Sequence, residues 1–434
     1  MEEAPSQVID IDRLQPGMYI ELELGWMAHP FPTGSFKITS ERQIEIIRGL
    51  GRKQVRYVPA KSDPPPNQAL APTQPVADEQ AALVNDNSPA QRAAREQLQR
   101  KQRAEALSAQ QRDLAMCERR FGQTVRQYKQ ALEQVHSKPQ EVMTQCQTLV
   151  NGYVGEMLGA SETAIRLLSD GMGDKVALHP VNISIISLLL GKQLGLEAPD
   201  MGDLGLAAFL HDIGKSELPE RVRWLDDSFS AHELKAYQTH VAQGVMLGQR
   251  MGLPPGALLA IAQHHEMVDG SGFPARLKGD AMSLPAKILA LVNRYENLCN
   301  PSCPSAAVTP HEALSLIFAQ FKSRFDATVL GGFIRMMGVY PPGSVVQLAD
   351  ERYAMVVSVN SSRPLKPRII VFDTRVPKHE ALILDLEAAP ELSIKRSLKP
   401  ASLPRAAMDY LSPRQRICYF FERSMDAPLP EVAP

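Results

Sequence analysis

His179, the pair His211-Asp212, His240 and the pair His264-His265 fall in one stretch of the chain that reads as helices. Neutral imidazole with carboxylate is the ligand set of iron, manganese or zinc, whereas calcium and magnesium prefer oxygen alone. A helical bundle can point such residues inward from facing helices and hold two metals. One histidine on an apolar face is usually a satisfied core residue. Five of the chain's 10 histidines in such contexts, with an aspartate beside one of them, point to a metal centre. AAFLHDIGK sets His211 and Asp212 at the end of an apolar helix, where a buried charge requires a partner or a metal. Lys215 follows one turn later on the same face. HHEMVDGSGFP sets His264 and His265 at a helix end before a glycine-rich loop. Glu266 and Asp269 have the chemistry to orient the histidines from behind. Asp269-Gly270 suits the tip of a turn equally well.

The elements that must position these residues are mainly α-helical. VNISIISLLLGKQLGL, MGDLGLAAFLHDIGK, AHELKAYQTHVAQGVMLGQRM, PGALLAIAQHHE, PAKILALVNRYENL and PHEALSLIFAQF carry apolar residues at helical spacing, with Gly and Pro between them. ETAIRLLSDGM reads as another helix of the same run. The domain expected from this is a helical bundle over residues 146–340. Ahead of it lie a small α+β module at 1–62, a Pro/Ala-rich linker at 63–90 and a long charged helix at 91–145. In the module, Thr39 or Ser40 suits a helix N-cap, Gly49 or Gly51 its stop, and His29 reads as a surface or packing residue. On the long helix Leu107, Leu114, Phe121, Tyr128 and Val135 recur every seventh residue. That leaves two readings open, a coil joining two copies of the chain or one amphipathic helix packed on its own domain. SVVQLAD, YAMVVSVN and RIIVFDT predict a small β appendage at 341–388, followed by a tail at 389–434 with SPRQRICYFFE as its last helix.

The balance of the chain excludes other functions. Lys plus Arg is 47 and Asp plus Glu is 48, so the net charge of −1 argues against nucleic acid or a membrane surface as partner. The most apolar stretch, VNISIISLLL, is too short to span a bilayer. The 5 cysteines are odd in number and show no C-x-x-C spacing, so neither a disulfide framework nor a zinc ribbon is expected. The acidic N-terminus lacks the apolar run of a signal peptide, and the expectation is a cytoplasmic protein. No phosphate-cradling glycine loop is present in the sequence.

HDIGK, the H-x-x-x-G at His240–Gly244 and HHE-x-x-DG-x-GFP resemble the motifs of the HD-GYP family, a branch of the HD metal-dependent phosphohydrolases, over residues 150–335. The N-terminal module resembles a small domain often found before HD-GYP domains. The resemblance implies hydrolysis of cyclic di-GMP to linear pGpG, GMP or both, by a hydroxide bridging two divalent metals, iron or manganese. It implies His179, His211, Asp212, His240, His264, His265 and Asn293 as metal ligands, with Asp212 as the bridge. It assigns Lys215 to the scissile phosphate beside Asp212, and Asp269, Gly270 and Phe273 to the substrate side. Signalling proteins such as a diguanylate cyclase would meet the GFP loop.

Several positions depart from the family pattern. Asn293 stands where the family has an aspartate ligand, with Glu296 at the second acidic position, and an uncharged amide lowers metal affinity. Lys175 replaces the glutamate of three-metal members, which implies at most two metals. Phe273 replaces the tyrosine of the GYP signature, and Ser302-Cys303-Pro304-Ser305 replaces a basic phosphate-binding stretch. A module that binds cyclic di-GMP or a protein partner without turnover is therefore the alternative, and a phosphohydrolase for another nucleotide a third reading.

Overall fold

A computed structural model describes residues 7–22, 35–48, 54–62, 89–171, 175–226, 228–389 and 391–423. The chain divides into two units, residues 1–104 and 105–434. In the first, β1 (Gln7–Asp10), β2 (Tyr19–Glu21), β3 (Ser35–Lys37) and β4 (Gln54–Tyr57) form an antiparallel sheet in the order β1-β4-β2-β3, with helix α1 (Glu41–Arg48) between the last two strands in sequence. Ile11, Ile20, Ile38, Ile44, Ile47 and Val55 make its core. This is the expected α+β module. His29, Gly49, Gly51 and nearly all of the 63–90 linker lie outside the described residues.

The long helix α2 (Pro89–Gln134) ends eleven residues earlier than the expected 145. Pro139 then opens a separate helix, α3 (Pro139–Gly159), at a position where its missing N–H costs nothing. The heptad seam has an owner within the chain. Phe121, Val125, Tyr128 and Val135 are buried in the core of the second unit, and Tyr128 meets Phe209 edge-on at 5.2 Å. Only the earlier part of the seam, Leu107 and Leu114, remains half-buried.

The bundle consists of α4 (Lys175–Gln193), α5 (Ala198–Leu210), α6 (Ala231–Gln238), α7 (His240–Met251), α8 (Pro255–Gln263), α9 (Leu284–Cys299), α10 (Pro310–Gln320) and α11 (Ala327–Met337). Val181, Ile183, Ile185, Ile186, Leu188 and Leu190 of α4 are all fully buried, so this helix is enclosed around its circumference and sits in the core.

Two expectations are corrected here. The segment read as helical ETAIRLLSDGM is a strand, β5 (Thr163–Leu167). The SPRQRICYFFE stretch ends as a strand too, β11 (Tyr419–Arg423), after a short helix α12 (Arg405–Leu411). The two pair antiparallel, and Arg166 forms a buried ion pair with Glu422. Both belong to a seven-stranded sheet with β6 (Val345–Leu348), β7 (Tyr353–Asn360), β8 (Arg368–Val371), β9 (Ile383–Asp385) and β10 (Ile394–Leu398). Along one edge β7 pairs with β6 and then β5, and along the other with β8. The expected C-terminal β region is present, and Val345, Met355, Ile369 and Phe420 share one core with the helices. The helical reading failed because five residues carry too little periodicity, while the partners that stabilise β5 arrive only from residues 358–360 and 419–423.

Candidate metal centre

Helix ends aim most of the histidines. His211 and His264 are the C-caps of α5 and α8, and His240 follows the last turn of α6. The last four carbonyls of a helix lack intrahelical donors. Nδ1 of His211 donates to Ala208 O at 2.8 Å, His240 Nδ1 to Tyr237 O at 2.6 Å and His264 Nδ1 to Ile261 O at 2.6 Å. Each bond fixes the tautomer and turns Nε2 inward. His179 follows no helix end, because α4 begins only at Lys175. Its Nδ1 is held instead by the carboxylate of Glu296 on α9.

Asp212 lies where α5 gives way to a 3₁₀ turn over Ile213–Glu217, with φ −99° and ψ 7°. Its two oxygens face different imidazoles. Oδ2 is 3.5 Å from His179 Nε2 and 3.4 Å from His211 Nε2. Oδ1 is 3.6 Å from His240 Nε2 and 3.9 Å from His264 Nε2. Potential ligand atoms of Asp212, His240, His264 and His265 lie within 4.8 Å of one another, and so do those of His179, His211 and Asp212.

Two glycines bring these elements together. A Cβ on Gly214 of HDIGK would lie 2.1 Å from His240 O and 2.3 Å from Gly244 N. The turn after Asp212 therefore rests directly on the backbone of α7, and the H-x-x-x-G spacing is a packing requirement. A Cβ on Gly272 would lie 2.5 Å from His265 O, so the glycine-rich loop folds back against the histidine pair.

The donor set fits divalent cations. Since the Nδ1 atoms donate elsewhere, the facing Nε2 atoms are both lone-pair acceptors. His179 and His211 nevertheless bring theirs to 3.3 Å, and so do His240 and His264. Asp212 Oδ1 and His265 Nε2 are buried with no hydrogen-bond partner. Acceptors converging without a donor need a positive charge among them. Burial pulls His240 down to about 4, and burial with neighbouring imidazoles pulls His264 and His265 well below the ordinary range. The rings are thus neutral at pH 7, as ligands must be. Burial would raise the Asp212 carboxyl, but His211 and Lys215 outweigh it and hold the group well below the usual carboxylate range.

Residues 159–329 match the HD domain, and residues 6–146 match a domain of unknown function, DUF3391. The HD-domain match spans the stretch that carries all five of these histidines and Asp212. The chain is 26% identical over 377 residues to a protein of Pseudomonas aeruginosa named a cyclic di-GMP phosphodiesterase, covering 84% of each chain. It is 31% identical over 156 residues to a Xanthomonas campestris pv. campestris protein named a cyclic di-GMP phosphodiesterase response regulator, over 35% of this chain and 41% of the relative. Among solved structures an HD-GYP-type protein of Bdellovibrio bacteriovorus aligns with 15% identity and a TM-score of 0.41, over 76% of this chain and 98% of that one.

Within this HD domain, Lys215 Nζ donates to Asp212 Oδ2 at 2.6 Å and lies 5.5 Å from the ring of Trp224 and 5.4 Å from that of Tyr237. Burial works against its charge, but Asp212 outweighs burial and pushes the ammonium up to about 12. Phe273 stacks on His265 at 4.5 Å. Gly270 adopts a φ of 80°, and Asp269 is an exposed turn residue whose carboxylate accepts from Ser271 N at 2.9 Å. The turn reading of Asp269 is therefore the observed one. Glu266 does not orient a histidine; its carboxylate accepts from Ala275 N at 2.6 Å and Leu277 N at 2.9 Å and pins the loop. Asn293 is buried, and its side-chain oxygen accepts from Asn297 Nδ2 at 2.6 Å. Ser302, Cys303, Pro304 and Ser305 lie on an exposed loop. Among the described residues no helix is long and apolar enough to cross a membrane.

Sequence reasoning placed Glu296 at an acidic position of α9 but gave it no contact, and it missed Trp224 and Tyr237 around Lys215. An acidic residue within the apolar repeat of PAKILALVNRYENL was the available signal for Glu296, which the structure buries.

Proposed function

We propose that the HD domain is a metal-dependent phosphodiesterase that opens cyclic di-GMP to linear pGpG, GMP or both. The observation that carries this reading is the division of Asp212 between two histidine sets, His179 and His211 at one oxygen, His240 and His264 at the other. His179, His211 and Asp212 would hold one cation and Asp212, His240, His264 and His265 a second. Iron or manganese suits this nitrogen-rich set. When bound, the pair supplies an activated water at neutral pH and neutralises phosphoryl oxygens.

The chain's own residues then have separate tasks. Asp212 fixes the spacing of the two halves through one rigid carboxylate. The backbone carbonyls of Ala208, Tyr237 and Ile261 hold the imidazoles in the ligating tautomer. Lys215 keeps its proton throughout and adds a fixed positive charge where the phosphate must gather negative charge. Phe273, against His265, offers an apolar wall on the loop side of the site.

Purified protein incubated with cyclic di-GMP and Mn(II), or Fe(II) under anaerobic conditions, is expected to yield linear product. No product with any metal overturns catalysis. The second reading, a cyclic di-GMP sensor without turnover, draws on one observation: the side-chain oxygen of Asn293 is already taken by Asn297. Binding of cyclic di-GMP without product supports that reading, and a panel of other cyclic dinucleotides identifies a different substrate.

A further inference from the structure

Behind the first histidine set lies a chain of hydrogen bonds that ends far away in the sequence. Glu296 uses one carboxylate oxygen on His179 Nδ1. Its other oxygen accepts from Asn182 Nδ2 at 3.2 Å and from Asn300 Nδ2 at 2.8 Å. Both amides also donate to the carbonyl of Ile417, each at 2.8 Å. In return Asn300 Oδ1 accepts from Ile417 N at 2.8 Å, and Asn182 Oδ1 from Tyr419 N at 3.0 Å. Asn182 is fully buried, and both asparagines are thereby saturated by the backbone of the segment entering β11.

We infer that residues 417–419 are a positioning element of the metal centre, acting through Asn182, Asn300 and Glu296 on His179. This rests on the metal-binding reading proposed above. The physical reason is the one that sets His179 apart. The Nδ1 atoms of His211, His240 and His264 are tied to helix-end carbonyls three residues earlier and need nothing from elsewhere. His179 depends on a carboxylate, and a buried carboxylate with a free oxygen keeps its orientation only if that oxygen is also occupied. The C-terminal segment supplies this by fixing the two amides. Among the described residues, the hydrogen bonds of this segment thus reach the half of the site formed by His179 and His211 and not the half formed by His240, His264 and His265.

The test is Co(II) titration of full-length apoprotein, read by calorimetry and by the visible ligand-field spectrum, on the wild type and on Glu296→Ala, Glu296→Gln and Asn300→Ser. The wild type is expected to take two Co(II) per chain. Glu296→Ala should weaken one of the two by about 10- to 100-fold, the usual effect of losing an outer-shell partner, and leave the affinity and spectrum of the other unchanged. Glu296→Gln, which retains an acceptor for His179, should recover part of the loss. Asn300→Ser, on a half-buried residue, should shift the same site in the same direction and leave the other site unchanged. Equal weakening of both sites, or two wild-type affinities in every variant, overturns the inference. Should Glu296→Ala not fold, Asn300→Ser and Glu296→Gln decide alone. A wild type that takes up no metal overturns the metal-binding reading itself.

Discussion

The backbone of Gly214 lies so close to that of His240 that a Cβ would stand 2.1 Å from the His240 carbonyl oxygen. Two motifs 26 positions apart in the chain are thereby one structural unit, since this contact fixes the distance from Asp212 to the second histidine set. Gly214→Ala should force α7 away and cost about 1–3 kcal/mol, the range for overpacking. Urea denaturation checks the stability. Metal analysis should show the second site weakened more than the first.

Asp212 serves both halves, so it should be the position whose loss removes both ions together. Asp212→Ala is expected to leave less than a tenth of the wild-type metal on each site and to abolish turnover. It also strands the Lys215 ammonium in a buried position, and breaking such a pair typically costs about 3–5 kcal/mol. The double variant Asp212→Ala/Lys215→Met should recover much of that stability without recovering metal. Thermal melts with metal analysis distinguish the two effects.

The metal-free protein should lose stability on mild acidification. Burial holds His240 at about 4 in the folded state, and lowers His264 and His265 as well, whereas an unfolded histidine titrates near 6.5. Below that value the unfolded chain binds protons that the folded chain refuses. The contribution is intact above about pH 7 and declines as pH falls through 6.5 toward 4. Denaturation midpoints measured in chelator from pH 7.5 to 5 should fall, and added Mn(II) should restore most at the upper end.

Asn293→Asp places a negative charge on the buried face of α9, the helix that carries Glu296. Tighter binding of one metal is expected. If the natural protein turns over cyclic di-GMP, the rate should rise at limiting metal. If it binds without turnover, this variant is the one expected to acquire activity, which product analysis by chromatography reads directly.

The ion pair between Arg166 and Glu422 joins β5 to β11 inside the core. Glu422→Ala should cost about 3–5 kcal/mol by leaving the guanidinium buried and uncompensated. The loss should be far larger than for Arg405→Ala, whose partner Asp409 and whose own side chain are exposed. Chemical denaturation of the two variants side by side settles whether the strand pairing at the end of the chain is integral to the HD domain.

The clustering of His179, His211, Asp212, His240, His264 and His265 was legible in the sequence because the chemistry of such a cluster is carried by residue type. Imidazoles at the ends of apolar helices, an aspartate next to one of them and glycines at fixed offsets are local features, and local features survive in a string of letters. The same holds for α5, α7, α8 and α9, whose apolar periodicity spans two or more turns. The N-terminal α+β module was readable for the same reason.

The fate of β5 and β11 was not, because a five-residue strand is defined by what lies on either side of it. Those neighbours come from parts of the chain some 190 to 260 positions away. Nor could spacing reveal that Glu296 answers His179 and that a backbone carbonyl at Ile417 answers both asparagines, since hydrogen bonds across 117 and 235 positions leave no period. The sequence alone determined which imidazoles and which carboxylate this protein gathers into one cluster. Only packing decided how His179 is aimed, because its ring is held by a carboxylate 117 positions away, whereas carbonyls three residues earlier aim His211, His240 and His264.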